Sequence, residues 1–518
     1  MRWRERPSRT SAEVMAAAEQ SKACVKDLPA VARVPSEHLK FINRFTVTRA
    51  DSCISCGLCA SLCPYGVHKR VEGHTKILPP DDRKCIGPSC EVNYFFCVAN
   101  CPTNSLSVSK SDTFVSLGDP RWPSEMIMAT WQMAETGRPL PLEHPGNVGA
   151  SGGGFDKLYF KMPGPKKFDP DAICTAIDLN RRDEGTKIRI PIPMYGGGMS
   201  FGSVSIHTML SRAMAAKEWN TFTCTGEGGY PEALIPYKDN VITQIATGLF
   251  GVREETIQRT PIVEFKYAQG AKPGLGGHLL HDKNTPEVAR MREAVPYTSL
   301  FSPFPFHSVY SVEDHKKHLD WAHAINPSAL LAVKVSTPND VEMVSVGSYY
   351  AGAHIVHLDG GYGGTGAAPE IAKKNIAMPI EYAIPKVHKF LVKEGIREEV
   401  TLLASGGLRT ALDVAKAITL GADGAVIGTA DLVALACVRC GNCESGRGCP
   451  RGIATTDPVL DKLTQADWGA KRISNMYGAW RLQWCDLLTR LGMSDIAELR
   501  GRTDLLRHGD NPTKEVGK

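Results

Sequence analysis

Thiols carry the most readable chemistry in this chain. The segment Cys53-Ile-Ser-Cys56-Gly-Leu-Cys59-Ala-Ser-Leu-Cys63-Pro64 has the spacing C-x2-C-x2-C-x3-C-P, in which three thiolates and a distant fourth hold an iron-sulfur cubane. A second set, Cys85, Cys90, Cys97 and Cys101-Pro102, keeps the closing C-x3-C-P but stretches the earlier spacings. A third, Cys437, Cys440, Cys443 and Cys449-Pro450, lies far down the chain. Thiolates grouped in this way bind iron and move single electrons. Zinc is the alternative use of paired cysteines, but the third cysteine of the first run and the Cys-Pro endings are not what a four-ligand zinc site requires. Disulfides are disfavoured by such tight grouping in a large chain without a secretory signal.

The hydrophobic pattern shows what must position these groups. After a leader at 1–45 and a cysteine module at 46–112, residues 113–150 are rich in Pro, Gly and polar side chains and read as a linker. From about residue 188 short apolar or β-branched runs recur at KIRIPIPMYG, TFTCTG, IVEFKYA, YTSLFS, LLAVKVS, HIVHLD, TLLAS and GAVIG, with amphipathic stretches such as SVSIHTMLSRAMAAKE between them. This alternation predicts an α/β fold, a (β/α)8 TIM barrel over 151–436. An open doubly wound sheet is the rival, because alternation alone does not distinguish a closed sheet from an open one. In a barrel, chemistry collects at the C-terminal strand ends, and a phosphate commonly sits beside the loops after the seventh and eighth strands. Ser405-Gly406-Gly407 ends the seventh run and Gly428-Thr429 the eighth. Either motif alone makes a tight turn; together, at this position, their small residues and backbone N–H groups favour a phosphate. Lys334 lies inside the apolar run LLAVKVS, which favours a functional lysine over a solvated one. The cysteine loop at 437–458 follows the eighth strand directly. The tail at 459–518 reads as helical, with Trp468, Trp480 and Trp484 on or near an apolar face expected to pack on the barrel.

Composition narrows the class. The 518 residues exceed what one core usually organises, and 42% hydrophobic with 22% charged residues is ordinary for a folded protein. A net charge of +5 on interspersed residues gives no reason to invoke nucleic acid or a membrane surface. No apolar stretch reaches spanning length, since the longest candidate is cut by Asp431. The leader has arginines but also Glu5 and Glu13 and no long apolar core, so the expected location is cytoplasmic.

With these features in place, the chain resembles the FMN domain of glutamate synthases, especially the archaeal-type form that carries a ferredoxin-like module and no fused amidotransferase. The motifs that carry the resemblance are MYGGGMSFGS, CTGEGG, QGAKPGLGGH, REAVPYTSLFSPFPFHSVYS, AVKVS, HLDGGYGGTGAAP, ASGGLRT, IGTA and CPRGIATTDP. The ferredoxin-like part implies two 4Fe-4S clusters, one on Cys53, Cys56, Cys59 and Cys101, the other on Cys85, Cys90, Cys97 and Cys63. The family resemblance implies FMN held by Gly198, Met199 and Ser200, by Lys334 near the ring, by Asp359, Gly360 and Gly361, and by the phosphate loops. It implies a further cluster, 3Fe-4S or 4Fe-4S, on Cys437, Cys440, Cys443 and Cys449. Glu227, Lys272 and Arg292 are its implied substrate residues; a dicarboxylate such as 2-oxoglutarate needs two cationic anchors, which a lysine and an arginine supply. Where fused glutamate synthases carry a glutamine after KPGEGG, this chain has Leu275 and His278, which bear on oxo-acid specificity. The implied reaction is reductive amination of 2-oxoglutarate with ammonia, free or from a partner amidotransferase subunit. Electrons would come from a donor subunit or ferredoxin, in an oligomeric complex. An N-methylglutamate synthase-type subunit using methylamine, a flavin barrel acting on other substrates, and a non-catalytic electron-transfer scaffold are the alternatives.

Overall fold

A computed structural model describes residues 28–37, 42–93, 96–147, 154–302, 306–365, 371, 376–444 and 448–509. Most of the expected leader, at 1–27 and 38–41, lies outside the described residues, as do Gly152 and Gly153. Eight parallel strands follow one another around a closed barrel: Met194–Gly196, Thr223–Cys224, Val241–Ile245, Ile262–Lys266, Leu330–Ser336, Ile355–Asp359, Thr401–Ser405 and Gly424–Ile427. Closure is direct, because Ile427 of the eighth strand pairs with Gly196 of the first. The sheet is therefore a barrel and not the open alternative.

The sequence reading errs on one strand. YTSLFS supplies only Leu300–Phe301, which pairs antiparallel with His278–Leu279 in a flap outside the barrel. The third barrel strand is instead VITQI, whose Thr243 and Gln244 are buried. A strand facing a polar barrel interior lacks the apolar signature that a strand search relies on.

The expected linker at 113–150 also needs correction. It contains a hairpin of Gly118–Asp119 and Trp122–Pro123 and a thirteen-residue helix, Ser124–Thr136, whose Met126, Ile127, Met133 and Ala134 are buried. The prolines and glycines that suggested a linker punctuate this helix without interrupting it. Pro123 precedes its first turn, and Gly137 ends it with φ 62°, the left-handed value that glycine adopts without strain.

The C-terminal helix, Ala466–Leu491, packs against this helix and against Ile206–Glu218. Trp480 and Trp484 are wholly buried, and Trp484 Nε1 donates to the Ala411 carbonyl at 2.7 Å. Arg472, also buried, donates to the carbonyls of Ala434 and Val34 and so ties the tail to both the barrel and the segment before the cysteine module. That module is small. Phe45–Arg49 pairs antiparallel with Leu106–Lys110, and Val47, Val67 and Leu106 form its core with Cys97. Among the described residues no helix is long and apolar enough to cross a membrane.

Candidate active site and cysteine clusters

The mouth of the barrel gathers a carboxylate and several cations. Lys266, at the end of the fourth strand, donates from Nζ to Glu227 Oε1 at 2.7 Å, with both side chains buried. Burial alone would raise the Glu227 pKa, but Lys266, with Lys272 and Arg292 beyond it, outweighs burial and holds it below the usual carboxylate value. The other oxygen, Oε2, has no hydrogen-bond partner. Arg292 closes the helix Pro286–Arg292 and is buried, not on an exposed helix face; its Nη2 donates to Ser200 Oγ at 3.1 Å and to the Phe201 carbonyl at 3.0 Å. Burial lowers its pKa to about 10, and its Nε has no partner. Gly228 makes room for this guanidinium: its φ is 110°, and a Cβ there would lie 2.7 Å from Arg292 Cζ. His278, half-buried on the flap, meets the Phe301 ring edge-on at 4.9 Å; burial, then the charge of Lys272, keep its imidazole below its ordinary pKa.

A second buried network runs across the barrel. Gln244 Nε2 donates to Glu264 Oε1 at 2.5 Å, and His357 bridges Glu264 at 2.8 Å and Ser405 at 2.7 Å through its two ring nitrogens. Ser405 Oγ donates to Asp359 Oδ1 at 2.6 Å. Asp359 Oδ2 accepts from the Gly270 N–H at 3.0 Å and faces Lys334 Nζ at 3.4 Å. Although burial opposes the charge on Lys334, Asp359 and Glu264 prevail and raise its pKa. Lys334, Asp359 and Ser405 thus form one connected unit at the C-terminal strand ends.

The glycine loops stack tightly around it. Gly226, with φ 69°, crosses the 198–200 loop so closely that a Cβ would fall 2.5 Å from the Ser200 nitrogen. Gly406, with φ 90°, lies against Gly360, whose N–H donates to the Ser405 carbonyl at 2.9 Å. Gly361 donates to the Met378 carbonyl at 3.1 Å. A cleft opens beside these loops, lined by Gly406, Gly407, Thr429, Arg121, Arg439 and Glu381 among others. Gly428 itself ends the eighth strand as the N-cap of Thr429–Ala434, and Met199 Cε lies 3.5 Å from where its Cβ would be.

Twelve cysteines fall into three groups, and all are unbridged: Cys53, Cys56, Cys59, Cys63, Cys85, Cys90, Cys97, Cys101, Cys437, Cys440, Cys443 and Cys449. Cys53, Cys56, Cys59 and Cys101 line one small pocket together. Cys97 is pushed up to about 11 by burial and then by the neighbouring thiols of Cys85, Cys90 and Cys63. The last cysteine of each run therefore sits with the opposite run. Among the described residues no three His, Cys, Asp or Glu side chains converge closely enough to share one metal ion. In the third group Cys443 is flanked by Cys449 and Cys440, and the Arg439 N–H donates to Cys437 Sγ at 3.4 Å. This loop touches the barrel mouth on two sides. Arg439 lines the glycine cleft, and Lys283, which follows the flap, donates to the Cys443 carbonyl.

The pattern known as the conserved region in glutamate synthase matches residues 164–494, and a 4Fe-4S binding domain matches residues 47–67. This chain belongs to the glutamate synthase family. An archaeal-type glutamate synthase (NADPH) of Thermotoga maritima is 36% identical over 490 residues, 89% of this chain and 94% of that relative. An archaeal glutamate synthase (NADPH) of Methanocaldococcus jannaschii is 35% identical over 487 residues, 88% of this chain and 93% of that one. The glutamate synthase (NADPH) large chain of Azospirillum brasilense is 35% identical over 316 residues, 60% of this chain but 21% of the larger protein. The chain is thus a glutamate synthase-type oxidoreductase with an iron-sulfur module.

Within this glutamate synthase framework, the structure brings Glu227, Lys272, Arg292 and His278 to one place, and Lys334, Asp359, Gly360, Gly361 and Ser405 to another beside it. Sequence reading overlooks Lys266, although the signal is present. Glu264 and Lys266 are charged residues two apart inside the apolar run IVEFKYA, the same irregularity that singles out Lys334. Arg121 has no such signal, because it lies in the stretch read as linker.

Proposed function

We propose that the chain catalyses FMN-dependent reductive amination of 2-oxoglutarate to glutamate, with electrons supplied through its iron-sulfur clusters. The observation that carries this reading is the cationic surround of Glu227. Lys266, Lys272 and Arg292 face one carboxylate, a cationic surround of the kind a dicarboxylate needs. Arg292 presents an unsatisfied buried Nε, the donor that such a substrate oxygen would use. Glu227, kept ionised by its neighbours and with Oε2 unpartnered, is placed to accept the proton that ammonium must lose before its nitrogen attacks C2 of the oxo acid. The flap lies against the site at Gly277, where a Cβ would fall 2.0 Å from Glu227 Oε1, and would limit the access of water to the resulting imine.

The residues present fit FMN. The cleft offers backbone at Gly406, Gly407 and Thr429 after the seventh and eighth strands, where barrels commonly hold a phosphate, and Arg121, Arg409 and Arg439 line it as well. Gly198, Met199, Ser200, Lys334, Asp359, Gly360 and Gly361 would hold the ring side, Lys334 supplying positive charge. When bound, FMN supplies the conversion of single electrons into hydride equivalents. The thiol groups support two 4Fe-4S clusters in the N-terminal module and a three- or four-iron cluster on Cys437, Cys440, Cys443 and Cys449. The relatives' names support NADPH as the ultimate reductant, acting through a donor subunit or ferredoxin. Ammonia would come from solution or a partner amidotransferase.

Anaerobic turnover of cofactor-replete protein with dithionite, 2-oxoglutarate and ammonium tests the proposal. Glutamate formed together with flavin reoxidation is expected. Flavin that stays reduced with both substrates present overturns the assignment of substrate.

A further inference from the structure

The hairpin before the barrel reaches into the cofactor cleft. Its tip is clamped from two sides. Asp119 Oδ2 accepts from Arg439 Nε at 3.0 Å and Nη2 at 2.7 Å, and the Arg121 carbonyl accepts from Arg409 Nη1 at 2.9 Å. Arg409 follows the seventh-strand glycines and is itself fixed by Asp156 and Asp413. Asp119 Oδ1 finishes the turn by accepting from the Arg121 and Trp122 N–H groups at 2.8 and 3.0 Å. The clamp thus holds Arg121 through its backbone and leaves its side chain to face the cleft. There the guanidinium carbon stands over the Tyr362 ring, 3.0 Å from the centroid.

Three arginines line this cleft, and their charges are not equivalent. Arg409 is neutralised by two carboxylates and Arg439 by Asp119. Arg121 makes no ion pair among the described residues; its guanidinium stands over the Tyr362 ring, and the carboxyl whose charge it feels in the cleft is that of Glu381. Glu381 lines the same cleft; burial raises its pKa, and the charges of Arg121 and Arg409 oppose that rise. An arginine held outside any ion pair, beside the glycine turns of the seventh and eighth strands, offers a forked donor to an anion with several oxygens.

We propose that Arg121 binds the phosphate of the flavin, so that the hairpin at 118–123, which precedes the glutamate synthase pattern at 164–494, completes the cofactor site. This rests on the FMN reading above. It also gives the cysteine module a structural stake in flavin binding, because the hairpin joins that module to the barrel and is pinned to the third cysteine loop through Asp119 and Arg439.

The test is a titration of flavin-free full-length protein with FMN and, separately, with riboflavin, which has the same ring and no phosphate, followed by quenching of flavin fluorescence. Arg121→Gln is expected to weaken FMN binding by roughly ten- to a hundredfold, as loss of a charge-assisted hydrogen bond does, and to leave riboflavin binding within about twofold. Arg121→Lys, which keeps the charge but not the fork, should retain most of the preference for FMN over riboflavin. It serves as the second variant should Arg121→Gln fold poorly. Equal FMN affinity in wild type and Arg121→Gln, or parallel loss of both flavins, overturns the role of Arg121 and leaves the FMN reading standing. A wild-type protein that binds neither flavin overturns both.

Discussion

At the residue scale, the pair Lys266–Glu227 sets the protonation state on which the proposed chemistry depends. Glu227 is depressed below its ordinary pKa by Lys266, Lys272 and Arg292 against the opposing effect of burial. Lys266→Met removes the nearest of these cations, so the Glu227 pKa rises and the carboxylate is present only at higher pH. The acid limb of the kcat/KM profile should move to higher pH, and stability at neutral pH should fall by about 3 kcal/mol, the cost of stranding one member of a buried pair. A pH–rate series with urea unfolding of the same variant checks both, and an unmoved acid limb would deny Glu227 its role as proton acceptor. Lys334 was legible because a charge interrupts an apolar strand, whereas Glu227 and Lys272 were legible only through the resemblance to glutamate synthases. Their partners were not, since the meeting of Glu264 with His357, at 2.8 Å, joins strands 93 residues apart.

At the element scale, the eight-stranded alternation was readable because parallel barrel strands are mostly buried apolar runs. VITQI escaped because its polar side chains face other polar groups inside the barrel, an environment set by tertiary structure. The helix Ser124–Thr136 escaped because Pro and Gly were taken to signal a linker when they mark its ends. The C-terminal helix was expected to pack on the barrel, and it does so through wholly buried Trp480 and Trp484. Trp484→Ala removes an indole with a hydrogen bond to Ala411 and should cost about 3–5 kcal/mol, visible as a lowered unfolding midpoint in denaturant. The cysteine runs allow a sharper test. If Cys101 shares a cluster with Cys53, Cys56 and Cys59, then Cys101→Ser and Cys53→Ser should perturb the same paramagnetic signal in the reduced protein, while Cys63→Ser should perturb the one lost in Cys97→Ser. Cys101→Ser grouping with Cys97→Ser would refute the crossed arrangement.

At the scale of the whole molecule, one buried carboxylate holds distant parts of the chain together. Asp423, just before the eighth strand, accepts from Arg397 Nη2 at 3.0 Å, from Arg181 Nη1 at 3.2 Å and from Arg500 Nη1 at 2.9 Å, and its Oδ2 also accepts the Leu402 N–H at 2.7 Å. These arginines belong to the segment before the barrel, to the barrel itself and to the chain beyond the C-terminal helix. Burial alone would raise the Asp423 pKa, but Arg397, Arg181 and Arg500 together hold it below the ordinary aspartate value. The sign of the linkage follows. The stabilisation is fully present above the unfolded aspartate pKa of about 3.9 and is lost as pH falls through the lower folded value. Asp423→Asn leaves buried Arg397 without its charge partner, so stability at pH 7 should fall by about 3 kcal/mol. The gap between variant and wild type should begin to narrow as pH drops below about 4, where the unfolded carboxyl takes up its proton, and should close only once pH has passed below the lower folded value. Denaturant midpoints for both proteins, taken from pH 7 downward, would show this convergence; a gap that stays constant with pH would mean that Asp423 contributes through shape and hydrogen bonding and not through charge.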